Sequence, residues 1–165
     1  MQSINYFLAS FISFLGLAVG ILLVKIAPEE QKPGKKYFIL LRRIFLFAIF
    51  IFFLLYYLHD FSYFLILIIL FLFLLLIEFK KWGLFKKSLL TYALLGVLFF
   101  LSSINTSLFA IESALILLLG IPTASLIYGI REKNHYKILF YNSIFLIAAN
   151  LLFLLNYHFS FLILR

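Results

Sequence analysis

Among the few residues able to do chemistry, Glu112 stands out because it sits in an apolar run, Phe109-Ala-Ile-Glu-Ser-Ala. An isolated charge is expensive to hold away from water, so an ionisable group in such a run is a functional candidate by default. Glu112 could serve as a proton- or cation-coupling carboxylate, with Asn150 and Ser143 hydrogen-bonding a substrate. The plainer reading is a structural acid bonded to Asn150, Ser103 or Tyr57, because polar networks between membrane helices are common. A second set is His59, Asp60 and His158. Joined by Glu112, these would offer nitrogen and oxygen donors for a metal or a proton relay. Their spacing forms no ligand motif, and a solvated turn at His59-Asp60 with an interfacial His158 accounts for them equally well. No metal or cofactor is therefore expected. A third feature is Gly120-Ile-Pro122. Pro122 cannot donate to the carbonyl of residue 118, which predicts a kink with Gly120 and Pro122 as a hinge. Thr123 and Ser125 follow it, and hydroxyls beside a broken helix can form a midplane site. Packing geometry alone also explains such a proline.

These residues need elements to position them, and composition says which kind. Of 165 residues, 66% are hydrophobic and only 12% charged. A soluble domain carries about a quarter charged residues, so a soluble enzyme, a disordered chain and a nucleic-acid-binding domain are all excluded. The mean hydropathy of +1.18 points to a multi-pass membrane protein. There are no cysteines, which removes disulfides and thiolate chemistry. Residues 1–24 hold no Lys or Arg, so the positive flank of a signal peptide is missing and the first apolar run reads as a retained span.

A bilayer core takes about 20 apolar residues as helix. Six segments meet that length, at about 5–26, 37–58, 61–79, 88–104, 107–130 and 138–162. One helix over 37–79 would be about twice as long as the membrane is thick, so a turn at His59-Asp60 is required. A barrel is ruled out because 64–77 is apolar at every position, whereas barrel strands alternate. The fold class is thus an all-α integral membrane bundle of six transmembrane helices in three hairpins.

The charges orient it. Lys25, Lys32, Lys35, Lys36, Arg42 and Arg43 flank the first join, Lys80, Lys81, Lys86 and Lys87 the third, and Arg131, Lys133 and Lys137 the fifth. Only Arg165 falls on the other side. The positive-inside rule makes the odd joins cytoplasmic and both termini extracytoplasmic. Arg42 and Arg43 lie one to two turns inside the second span and are expected to snorkel to the interface. Tyr37, Trp82, Tyr128, Tyr136 and Tyr141 are expected at the inner interface, and Tyr6, Tyr56, Tyr57, Tyr63 and Tyr157 at the outer one. Lys36, Lys87 and Lys137 recur about 50 residues apart, as three similar hairpins would require, although any six-span chain with short loops gives such a period.

The remaining motifs are few. Gly16 and Gly20 form a GxxxG that permits close helix contact, within the chain or in a homo- or hetero-oligomer. Residues 27–34 read as a charged, turn-rich cytoplasmic loop. Its Glu29-Glu30 begins like the Glu-Glu-x-x-x-Arg of CAAX-type intramembrane proteases, but the sixth position is Gly34 and the pair lies at a water-facing join. That activity is not carried over. With one aspartate and three histidines, the familiar hydrolytic constellations are missing too.

The leading expectation is a non-catalytic membrane component, a subunit, scaffold or lipid-interacting protein, with anionic lipid headgroups as partners of its basic face. The alternatives are a small transporter using Glu112, and an intramembrane enzyme using the His/Asp/Glu set. Nucleic acid is not expected. Short loops and richness in Phe, Ile and Lys suggest a prokaryotic plasma membrane.

Overall fold

The computed structural model describes residues 3–58, 61–80, 82–128 and 134–163, without the side chains of 61–63 and 157–163. In chain order the elements are α1 (Ser3–Ile26), a short 3-10 turn (Pro28–Glu30), α2 (Gln31–Tyr56), α3 (Phe61–Phe79), α4 (Leu84–Ser102), α5 (Thr106–Ile127), α6 (His135–Asn142) and α7 (Ile144–Ile163). No strand occurs among the described residues. Five helical stretches are long and apolar enough to cross a membrane, and α3, apolar along its residues 64–79, is the sixth candidate. Helices suit this chain because each closes its own backbone hydrogen bonds, the requirement that lipid imposes.

Two asparagines start helices. The Asn105 side chain accepts from the Ser107 and Leu108 amides at 3.0 and 3.2 Å, and Asn134 accepts from Tyr136 and Lys137 at 3.1 and 3.4 Å. Each satisfies amides that have no partner within the first turn. Residues 27–34 differ from the expected loop, because a 3-10 turn runs directly into α2 at Gln31. Pro28 and Pro33 permit this, since each falls where the first turn of a helix needs no amide donor. The sixth expected span is α6 and α7 joined end to end through Ser143. The Ser143 amide donates to Leu139 at 2.9 Å, and its carbonyl accepts from Ile147 at 3.1 Å.

The closest helix packing runs between helices that are not sequence neighbours. Among the described residues, α1 and α2 each pack on α5 rather than on one another, and α7 packs mainly on α4. Small residues decide these pairings. A Cβ on Gly16 would collide with the Leu117 carbonyl oxygen, and one on Gly120 would lie 2.6 Å from the Gly16 carbonyl carbon. Gly20 faces Ile121 and Ala124 in the same way. On α4, a Cβ at Gly96 would come within 2.8 Å of both the Ala148 Cβ and the Phe145 carbonyl. Close backbone approach is what holds membrane helices together, because lipid offers no hydrophobic drive between them. Gly16 and Gly20 of the α1 GxxxG are therefore buried within the chain against α5.

The two ends of the bundle are chemically distinct. Gln31 at the start of α2 donates to the Tyr128 carbonyl at the end of α5, and Lys87 at the start of α4 donates to the Glu78 carbonyl near the end of α3. Lys137 of α6 lies 5.9 Å over the Phe85 ring of α4. The described lysines thus gather at one end. At the other, Tyr6, Phe99, Phe109 and Phe153 form an aromatic core, with Tyr6 stacked on Phe153 at 4.1 Å. Tyr6 is completely buried and donates to the Ala149 carbonyl at 3.0 Å, so its ring packs in the core and does not face outward. Tyr37, Trp82, Tyr136 and Tyr141 are exposed, as interfacial aromatics are.

Candidate functional site

The principal charged feature lies between α2 and α3, where Arg42 Nη2 meets Glu78 Oε1 at 2.5 Å. The pair forms because α2 turns Arg42 inward beside Leu46 and Ile49, so its side chain is 6% exposed rather than reaching for the interface. The expected snorkelling therefore fails for Arg42, while Arg43, one residue on, is exposed. The Tyr92 hydroxyl of α4 lies beside Arg42 and Thr123. Lys87 binds the Glu78 main chain. Four helices, α2, α3, α4 and α5, thus contribute to one polar cluster toward the basic end. Below it, Ser88 donates to Asn142 Oδ1 at 2.6 Å and Asn142 donates to the Ile138 carbonyl at 2.8 Å, which clasps α4 to α6.

Beside the ion pair, α2 and α3 line a groove of about 550 Å³. Its walls are apolar, with Phe47 and Ile51 from α2 and Phe71 and Leu74 from α3. Arg43 and Glu78 stand at one end. Ala48 supplies the space, being the small side chain on the α2 wall.

Glu112 is completely buried on α5, and neither carboxyl oxygen has a hydrogen-bond partner among the described residues. The groups expected to bind it are engaged elsewhere. Asn150 accepts from Ser10 at 3.3 Å, Ser103 donates to the Phe100 carbonyl at 2.6 Å, and Tyr57 donates to the Leu101 carbonyl at 3.2 Å. Ser143 donates to the Phe140 carbonyl at 2.6 Å, at the α6–α7 junction and not at a shared site. Glu112, Asn150 and Ser143 are thus not joined by hydrogen bonds among the described residues: Asn150 is held by α1 and Ser143 by its own helix. His59 and Asp60 lie outside the described residues, as does the side chain of His158, whose backbone belongs to α7. Among the described residues no cluster of His, Asp and Glu is arranged to hold a metal ion.

The Gly120-Pro122 segment does not open a site either. Helix α5 continues through Pro122, and Gly120 is pressed against the Gly16 backbone. Thr123 donates to the Leu119 carbonyl at 2.8 Å, and Ser125 donates to Ile121 at 2.9 Å and to Gly20 at 3.3 Å. Their hydroxyls are bound to main-chain oxygens instead of lining a cavity.

Sequence reasoning missed the Arg42–Glu78–Tyr92 cluster and the groove beside it. A signal for the cluster existed, since Arg42 lies more than one turn inside α2 and Glu78, of opposite charge, closes the apolar run of α3. No known protein family, curated protein or solved structure matches this chain.

Proposed function

We propose that the protein is a non-catalytic, lipid-interacting component of a cell's plasma membrane. In this reading α1 to α7 make six crossings in three sequential hairpins, with both termini extracytoplasmic. The gathering of lysines at one end of the bundle supports that orientation through the positive-inside rule. The observation that carries the function is the groove between α2 and α3. This groove is apolar and opens between two helices. A lateral apolar groove suits lipid. Purification in a mild detergent followed by mass spectrometry of retained lipids tests this. Stoichiometric lipid is expected, and a preparation that is folded yet free of lipid would refute the reading.

A second reading, a small transporter coupled through Glu112, has one observation in its favour, the complete burial of an acid whose oxygens find no partner among the described residues. Its test is ion flux in proteoliposomes. Equal flux for the natural protein and Glu112→Gln would remove Glu112 from any transport role.

A further inference from the structure

We infer that the α2–α3 groove holds one acyl chain of an anionic phospholipid from the leaflet at the basic end, with the lipid phosphate on the Arg43 guanidinium. This rests on the lipid-interacting reading and names the lipid class and the residues that select it.

Length comes first. The groove runs along α2 from Arg43 to Ile51, which at 1.5 Å per residue is about 12 Å. That is close to the depth of one leaflet, since the hydrocarbon core is about 30 Å thick. The volume of about 550 Å³ falls within the range of about 300–1,000 Å³ typical of ligand sites. The groove therefore has the length of an acyl-chain segment about as long as one leaflet is deep, and Arg43, exposed and long, stands at its basic end.

Charge decides the headgroup. Glu78 would repel an anion at the mouth, but Arg42 pairs with its carboxylate and Lys87 binds its main-chain oxygen. The Arg42–Glu78 pair is the one salt bridge among the described residues, which leaves Arg43 with no carboxylate partner among them. With Glu78 paired to Arg42, Arg43 is the uncompensated charge on the groove lining, and Lys87 on the Glu78 main chain adds a second positive charge nearby. A guanidinium also matches a phosphate in geometry, offering two parallel donors. Arg42 is thus a positioning residue, holding Glu78 so that Arg43 is available.

The test uses the full chain in nanodiscs of phosphatidylcholine containing graded phosphatidylglycerol, with retained lipid read by native mass spectrometry. The natural protein is expected to keep phosphatidylglycerol over phosphatidylcholine, and exposed Arg43→Gln to lose about fivefold in that preference. Ala48→Phe, which fills the groove, is expected to lose retained lipid of both kinds. Lys25→Gln, at the same end but away from the groove, is expected to change neither. Equal preference in the natural protein and Arg43→Gln would overturn the headgroup assignment while leaving the lipid-interacting reading in place. Unchanged retention in Ala48→Phe would overturn the groove, as would a loss in Lys25→Gln as large as that in Arg43→Gln. Absence of any retained lipid from the natural protein would defeat the proposal and the broader reading together.

Discussion

Arg42 on α2 and Glu78 on α3 meet at 2.5 Å with side chains only 6% and 14% exposed, so the two helices are joined by a buried charge pair beside a gap. Removing one partner strands the other charge. Arg42→Met or Glu78→Leu alone is expected to destabilise the protein by about 3–5 kcal/mol, while the double replacement restores most of the loss. Thermal unfolding in one detergent, followed by tryptophan fluorescence, reads the comparison. Additive single effects would show that the pair is not coupled.

The close contact of α1 with α5 makes a prediction about volume. A methyl group at Gly16 or Gly120 has no room, since it meets backbone atoms that cannot move independently. Gly16→Ala and Gly120→Ala are each expected to cost about 1–3 kcal/mol. Gly34→Ala is the control, because its nearest neighbour is the edge of the Phe38 ring at 3.1 Å, a side chain free to shift. Melting temperatures of the three variants should fall in that order, with Gly34→Ala close to the natural protein.

The helices were legible in the sequence because lipid imposes a length and forbids unpaired backbone, so six apolar runs leave little choice. Their partners were not. Gly16 and Gly20 announced a close contact but could not say against what, and Gly96 with Ala148 looked like ordinary composition. Residues 27–34 misled because prolines and charges also suit a helix start. The site was harder still. Glu112 was visible as an acid in an apolar run, yet the grouping of Asn150 and Ser143 with it required knowledge of which helices touch. Arg42 was placed at the interface by its long side chain, when the opposite charge on α3 was near enough to hold it inside.

The orientation can be checked without engineering away background, because the chain contains no cysteine. Single cysteines at Asn105 and at Lys86 lie at opposite ends of α4. In intact cells a membrane-impermeant maleimide is expected to label the cysteine at Asn105 and not that at Lys86, with the pattern equalised after lysis. Labelling of Lys86 alone would invert the topology.

Glu112 offers a prediction about stability separate from transport. Its oxygens have no hydrogen-bond partner among the described residues, and an unsatisfied buried polar group costs about 1–3 kcal/mol. Glu112→Leu replaces the acid with an apolar side chain of similar size, so the protein is expected to become more stable by an amount in that range. The same melting assay decides it. A loss of stability would mean that the carboxyl group has a partner whose contribution exceeds its desolvation.

Tyr6 separates the value of a hydrogen bond from that of a ring. Its hydroxyl donates to the Ala149 carbonyl at 3.0 Å, while its ring stacks on Phe153 at 4.1 Å and packs against Phe99 and Phe109. Tyr6→Phe keeps the ring and is expected to cost about 0.5–1.5 kcal/mol. Tyr6→Ala empties the aromatic core and is expected to cost about 3–5 kcal/mol. The gap between the two matters because α1, α4, α5 and α7 all supply rings here. If the alanine variant melts no lower than the phenylalanine variant, then the small-residue contacts of Gly16 and Gly96 hold these four helices together without the aromatic cluster.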